Sequence, residues 1–224
     1  MATTCYVCDG CNLVGSLSKY LQPLPPDPVT GRKGHPMHWV SIPLLAITSI
    51  VPALALTPLA EFSVSRYHGR WYEISAIPGF FQNKCQRDVQ VEYAPEDSGA
   101  LIVRNRCQRP DGAIEQTEGR GRALEPDLPS VLKVTFVHQL GIWWYPFGRS
   151  QTVIAAGPGN RWLVIGDPSL RYGRVIAREP MLDPESLRAV ATALANEGYD
   201  RCAFVLKPQS GGREQLTRLC DEVR

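Results

Sequence analysis

The sequence predicts an all-β fold with one helix, in which an eight-stranded up-and-down antiparallel β-barrel is followed by a packing helix and a short ninth strand. Three observations support this prediction. Eight short segments are rich in β-branched and aromatic residues, turn-forming residues separate them, and one helix signal follows the eighth segment. Consecutive strands joined by short links favour a meander, and a sandwich of two sheets is the alternative.

The eight predicted strands lie between residues 69 and 178. Gly, Pro, Asp or Asn occurs in each gap between them, and these residues are typical of turns. The predicted ranges are 69–77, 88–93, 101–107, 114–123, 131–137, 151–156, 161–167 and 173–178. Eight antiparallel strands with one apolar face can close into a barrel that has no free edge and encloses one small ligand.

The second and third strands show which face of the sheet is apolar. Apolar residues alternate with charged and amide residues along the second strand, so the two kinds fall on opposite faces. Asn105 on the apolar face is either a satisfied core amide or a polar anchor for a ligand head group. We expect a pocket of roughly 300 to 1,000 Å³. Its predicted lining residues are Val89, Val91, Tyr93, Leu101, Val103 and Asn105.

The helix signal begins at Asp183, a preferred N-cap residue, with Pro184 at the first helical position. The predicted helix ends at Gly198, and a last short strand covers residues 203–207. Four apolar residues share one helix face by their spacing and predict packing against another element: Leu187, Val190, Ala191 and Leu194.

Residues 37–55 are typical of a secretory signal peptide. The apolar run ends at Ala53-Leu54-Ala55, a small-residue pattern at which such peptides are cleaved. A membrane span is the alternative, although the run is short and contains two prolines. We predict that translation starts at Met37 or that residues 1–36 are a disordered leader. Residues 56–207 are then the barrel domain, and residues 208–224 are a C-terminal tail.

The remaining motifs and the charge exclude several classes of function. The formal net charge is +2, with 24 basic and 22 acidic residues, so no basic surface for nucleic acid is indicated. Cys5, Cys8 and Cys11 have the spacing of metal ligands, but no suitable fourth ligand follows. No catalytic motif occurs in its required context. We therefore predict a binding protein that is not an enzyme and has no metal or cofactor.

The segment YHGRWYEI, with Gly69 and Trp71, resembles the G-x-W signature of the lipocalin family, in the form of its bacterial lipocalin and apolipoprotein D-like branch. Arg178 in VIAREP matches the family's arginine at the end of the eighth strand. The resemblance implies that Trp71 closes one end of the barrel and that Arg178 lies across its indole as a cation–π contact. It also implies that Tyr93 and Asn105 are pocket positions.

A disulfide between Cys85 and Cys107 follows from the predicted hairpin. If Tyr93 faces a residue near Gly99 or Ala100, Cys85 comes opposite Cys107 within about one residue, and both side chains leave the same face. Bacterial relatives that the sequence resembles carry cysteines in both contexts. Cys202 and Cys220 are the alternative partners for Cys85.

These observations favour the binding and transport or storage of a small hydrophobic ligand, such as a fatty acid or a lysophospholipid-like molecule. A barrel that binds haem or another tetrapyrrole is one alternative, and an isomerase or hydrolase built on the same barrel is another. Three roles are open for the aromatic stretch Trp143, Trp144 and Tyr145: packing within a loop, gating the mouth of the barrel, or a peripheral membrane contact. We expect an exported protein, periplasmic or secreted, with outer-membrane association as a further option.

Overall fold

The structure is a computed structural model that describes residues 56–79 and 84–223. Its strands are β1 (Gly69–Ala76), β2 (Arg87–Pro95), β3 (Leu101–Gln108), β4 (Ile114–Ala123), β5 (Val131–Thr135), β6 (His138–Gln139), β7 (Ile142–Trp143), β8 (Arg149–Ala156), β9 (Trp162–Gly166), β10 (Gly173–Ala177), β11 (Val205–Leu206) and β12 (Thr217–Arg218). Its α-helices are α1 (Pro184–Asn196) and α2 (Leu219–Glu222), and short 3-10 helices cover Val64–Tyr67, Tyr145–Phe147, Pro158–Asn160 and Arg201–Ala203.

Eight of these strands form a closed antiparallel barrel. The order around it is β10-β9-β8-β5-β4-β3-β2-β1, and β10 pairs back onto β1. This closure confirms the predicted fold class and rules out the two-sheet sandwich. A small sheet of two strands, β6 and β7, lies between β5 and β8 in the chain and was not predicted from the sequence.

Strand β1 pairs with three other strands, β2, β10 and β11. It pairs with β2 only through residues 69–72, while its far end pairs with β11 through Ser75 and Ala76. The C-terminal segment therefore lies where β1 and β2 separate. Gln209 joins the two sides, because its Nε2 donates to the main-chain oxygens of Glu73 and Val89 at 3.0 and 3.1 Å. Residues beyond 207, predicted to be a tail, thus contribute to the barrel wall.

Strands β9 and β10 and the second half of β1 bury both of their faces. One face forms the interior, with Phe62, Tyr67, Trp71, Val91, Tyr93, Leu101, Val103, Leu132, Val134, Val153, Leu163, Ile165 and Ile176. The opposite face of β1, β9 and β10 packs against α1, whose buried residues include Leu187, Val190, Ala191 and Leu194. The predicted apolar helix face is therefore confirmed. Asp183 caps the helix by accepting a hydrogen bond from the main-chain nitrogen of Ser186 at 2.8 Å.

The structure contains the predicted Cys85–Cys107 disulfide, but the register used to predict it is wrong. Tyr93 pairs with Val103, not with a residue near Gly99, because β2 continues to Pro95 before the chain turns. A bulge at Asp88, which has a left-handed φ of 52°, then shifts the register between Arg87 and Gln90. The bulge recovers only one residue of the difference. Cys85 precedes the first residue of β2 and so lies outside the ladder, where its Cα atom is 5.4 Å from that of Cys107.

Cys202 and Cys220 form a second disulfide, with Cα atoms 5.0 Å apart. The bond ties the 3-10 helix Arg201–Ala203 to α2, so these cysteines pair with each other and not with Cys85. None of the helices in the described ranges is long and apolar enough to span a membrane. The leader, the signal peptide and its cleavage site, and Cys5, Cys8 and Cys11 lie outside the described residues.

Candidate functional site

One end of the barrel is closed by the residues of the G-R-W segment. Trp71 is fully buried, and its indole Nε1 donates to the main-chain oxygen of Tyr67 at 2.6 Å. The guanidinium carbon of Arg178 lies 3.6 Å from the centre of the Trp71 ring. The same guanidinium donates to the main-chain oxygens of Arg66 and Arg70 at 3.1 and 3.0 Å. Arg178 therefore fastens the 3-10 helix before β1 to the barrel.

Gly69 makes room for this arrangement. Its φ is +93°, a left-handed value that side chains disfavour. A Cβ atom there would also lie 3.3 Å from a terminal nitrogen of Arg178. Gly69, Trp71 and Arg178 thus form one structural unit at the closed end.

The structure brings four of the six predicted lining residues together in the barrel interior. Val91, Tyr93, Leu101 and Val103 are each 1% exposed and belong to the interior cluster. Val89 and Asn105 are half-buried. Asn105 pairs with Val91 across the β2–β3 ladder. An open crevice of about 410 Å³ lies between the β2–β3 link, the end of β4 and Tyr145, and none of the six predicted residues borders it.

A cluster of charged side chains lies in the same interior. Glu73, Arg174 and Lys207 are 5%, 6% and 6% exposed. Lys207 Nζ lies 2.9 Å from Glu73 Oε1, and Arg174 Nη1 lies 3.8 Å from Glu73 Oε2. Charges at this depth are costly unless they are paired. Their presence indicates a polar zone within an otherwise apolar barrel.

Neutral polar groups complete the surroundings of Arg174. Its Nη2 donates to the Tyr93 hydroxyl and to Gln151 Oε1, the latter at 3.3 Å. Its Nε has no hydrogen-bond partner among the described residues, and neither does the buried hydroxyl of Tyr67. The Tyr67 and Tyr93 ring centres are 4.9 Å apart. Two unused donors therefore lie in one region of the interior.

The ionisation of these groups is set by burial and by their neighbours. Burial raises the pKa of Tyr67 well above its ordinary value and also raises the pKa of Tyr93, although Arg174 opposes both shifts. Both phenols stay protonated at neutral pH, so each hydroxyl carries a proton that it could donate. Burial lowers the pKa of Arg174. The electrostatic influence of Tyr172, Tyr93 and Glu73 raises it by more, so its pKa lies above the ordinary value. The guanidinium stays charged.

Four interior polar residues were not predicted from the sequence: Glu73, Arg174, Lys207 and Gln151. One signal was available, because Glu73 follows Trp71 by two residues and side chains two apart share a strand face. Arg174 gave no such signal. Strand β10 is buried along its whole length, so no polar alternation distinguishes its two faces. Lys207 enters the interior only because β11 lies beside β1.

The aromatic stretch after β5 lies over the outside of the barrel wall. The guanidinium carbons of Arg120 and Arg122 lie 4.7 and 4.1 Å from the ring centres of Trp143 and Tyr145. The predicted loop-packing role fits these two rings better than a gate at the mouth. No group of three or more His, Cys, Asp or Glu side chains within residues 56–79 and 84–223 is placed to hold a metal ion.

Known proteins share this architecture and parts of the sequence. Insecticyanin from the tobacco hornworm Manduca sexta superposes with a TM-score of 0.54 at 17% identity, covering 73% of this chain and 93% of that one. The outer membrane lipoprotein Blc of Escherichia coli K12 is 28% identical over 169 residues, which are 75% of this chain and 91% of Blc. Apolipoprotein D of Rattus norvegicus is 28% identical over 159 residues, covering 68% of this chain and 80% of the relative.

A family model also matches most of the described fold. The model of the lipocalin-like domain matches residues 62–209. This range begins before the 3-10 helix that Arg178 fastens and ends at Gln209, which joins β1 to β2. The chain belongs to the lipocalin-like domain family.

Proposed function

We propose that this protein binds and carries a small hydrophobic ligand inside its barrel and that it is not an enzyme. The observation that carries the proposal is the apolar interior of a closed barrel, formed largely by buried aliphatic and aromatic side chains. Burial of an alkyl chain in such surroundings is favourable by roughly 0.8 kcal/mol per methylene group. A single-chain lipid, such as a fatty acid or a lysophospholipid-like molecule, matches this interior.

Entry of an acyl chain requires some interior side chains to change position, because they pack against one another. Val91, Leu101 and Val103 are the candidates on β2 and β3. Single-chain lipids are suited to such a space, since they can follow an irregular path between side chains. A rigid tetrapyrrole would need a larger displacement, and a coloured purified protein would favour that alternative.

The test uses the full chain and two matched variants. Native mass spectrometry of the purified protein is expected to show bound single-chain lipids, and added hexadecanoate is expected to quench tryptophan fluorescence in a saturable manner. Val103→Phe narrows the interior and is expected to weaken binding several-fold. Ile102→Phe changes the neighbouring, half-buried position on the opposite face of β3 and is the control. Absence of saturable binding across a panel of single-chain lipids would overturn the proposal.

We further propose that the protein is exported and meets lipid surfaces. Residues 37–55 read as a signal peptide, and the bacterial relative is named as an outer membrane lipoprotein. Leu140, Ile142 and Phe147 are 94%, 60% and 71% exposed on the segment that carries β6 and β7, and such exposure is typical of an interaction surface. Phosphatidylcholine vesicles are expected to co-sediment with the protein. Leu140→Ser is expected to weaken this contact, whereas Ile114→Ser, at another exposed position, is not.

A further inference from the structure

We propose that the interior polar zone around Arg174 binds the acidic head group of an amphipathic ligand, a carboxylate or a phosphate. This inference rests on the proposed function and adds the class of ligand and its orientation. The head group would lie inside the barrel, against Arg174 and Tyr67, and not at the mouth.

The charges of the cluster do not balance. Two cations, Arg174 and Lys207, face one carboxylate, Glu73. The carboxylate is engaged mainly by Lys207 at 2.9 Å, while Arg174 is 3.8 Å away. The two other partners of Arg174, Tyr93 and Gln151, are neutral. Because an isolated buried charge is costly, an added anion near Arg174 would be stabilised.

Hydrogen-bond donors are left over at the same place. Arg174 Nε and the Tyr67 hydroxyl are buried and have no partner among the described residues. Arg174 is 6% exposed and Tyr67 is fully buried. A buried donor without an acceptor is unfavourable, because it has lost its hydrogen bonds to water. A carboxylate or phosphate carries at least two acceptor oxygens, so one such group can accept from both donors.

The neighbouring ionisable groups favour an anion over a neutral or cationic group. Burial raises the pKa of Tyr67, so this phenol donates a proton in a hydrogen bond but does not supply a negative charge. The carboxylate of Glu73 is already paired with Lys207 and, at a longer distance, with Arg174. A cationic head group would therefore meet uncompensated positive charge. An alcohol would satisfy a donor without neutralising Arg174.

The test compares three ligands with the same alkyl chain, measured at about pH 8, where carboxylates are ionised. Hexadecanoate and hexadecyl phosphate carry the two acidic groups, and hexadecanol is the neutral reference. The wild-type protein is expected to bind at least one acid about tenfold more tightly than the alcohol, as charge-assisted hydrogen bonds allow. The relative affinity of the two acids distinguishes a carboxylate ligand from a phosphate ligand.

Two substitutions locate the effect. Arg174→Gln is expected to abolish the preference for the acids while leaving the affinity for hexadecanol within about threefold, and its remaining Glu73–Lys207 pair is neutral overall. Tyr67→Phe removes a hydroxyl that makes no hydrogen bond, so it is expected to weaken acid binding several-fold without loss of stability. Arg106→Gln, at an exposed position on β3, is the control and is expected to change neither quantity.

Each outcome separates the inference from the function on which it rests. Equal binding of acids and alcohol by the wild-type protein overturns the inference and leaves the carrier function in place. A preference for acids that survives both Arg174→Gln and Tyr67→Phe also overturns it, because the head group then lies elsewhere. Failure of all three ligands to bind counts against the carrier function itself.

Discussion

Substitution of Glu73 by glutamine tests whether the barrel interior excludes water as its burial indicates. The change preserves the size of the side chain and removes one negative charge. Lys207 and Arg174 are then two buried cations without a carboxylate. The loss in free energy of unfolding measures how strongly this interior depends on charge pairing.

The expected magnitude follows from the geometry. At the 2.9 Å separation of Lys207 Nζ and Glu73 Oε1, the Coulomb attraction in a medium of effective dielectric constant 20 is about 6 kcal/mol. Part of this is offset by the cost of removing both ions from water. Measured losses on removing one partner of a buried pair are typically about 3 to 5 kcal/mol, and we expect Glu73→Gln to fall in that range. The double variant Glu73→Gln/Lys207→Met is expected to be more stable than the sum of the single losses predicts.

Urea unfolding, followed by circular dichroism, provides the measurement. The matched control is the pair Arg218–Asp221, which has a similar separation of 3.0 Å but side chains that are 60% and 43% exposed. Asp221→Asn is expected to cost less than about 1 kcal/mol. A loss for Glu73→Gln as small as that for Asp221→Asn would show that water reaches the cluster. The interior around Glu73 would then not be dry.

Three further predictions concern the rest of the fold. Replacing Cys202 and Cys220 by serine opens a crosslink with a sequence separation of 18, and the chain-entropy estimate gives a loss of about 3 kcal/mol in thermal or urea unfolding. Gly119→Ala places a methyl group against a main-chain oxygen of β5, whereas at Gly121 the nearest atom is 3.4 Å away. We therefore expect a loss of about 1 to 3 kcal/mol for the first substitution and a smaller one for the second. Burial raises the pKa of Tyr199 to about 12, while the pKa of an unfolded tyrosine is about 10. Its contribution to stability is complete below that pH and is lost as the pH rises through the folded pKa, which alkaline titration of tyrosinate absorbance can follow.

Local patterns in the sequence predict most of the barrel strands within two residues. Strand β4, predicted at residues 114–123, has those same bounds, and α1 begins directly after its predicted N-cap, Asp183. These features depend on neighbouring residues, through side-chain alternation and capping. The bulge at Asp88 does not, because no glycine marks its left-handed conformation. Its carboxylate instead accepts hydrogen bonds from the main chain and hydroxyl of Ser210, distant in sequence.

The interior cluster was harder to predict for the same reason. Its three charged residues come from β1, β10 and the segment after β11, and no local pattern relates them. Lys207 in isolation resembles an ordinary surface lysine. Only the insertion of the C-terminal segment between β1 and β2 brings its amine to Glu73. Four apolar lining positions on β2 and β3 were accessible to sequence reasoning because they alternate within one hairpin.

The three pairings of β1 also have a kinetic consequence. During synthesis β1 emerges before every other barrel strand, yet two of its partners, β10 and β11, come from the far end of the chain. Such non-local pairings slow folding, typically to milliseconds or seconds. Until they form, one edge of β1 is exposed to strands of other molecules. A chain truncated before Val205 would lack β11 and leave Ser75 and Ala76 of β1 without that partner, and we expect it to aggregate during refolding even if its helix and remaining hairpins form.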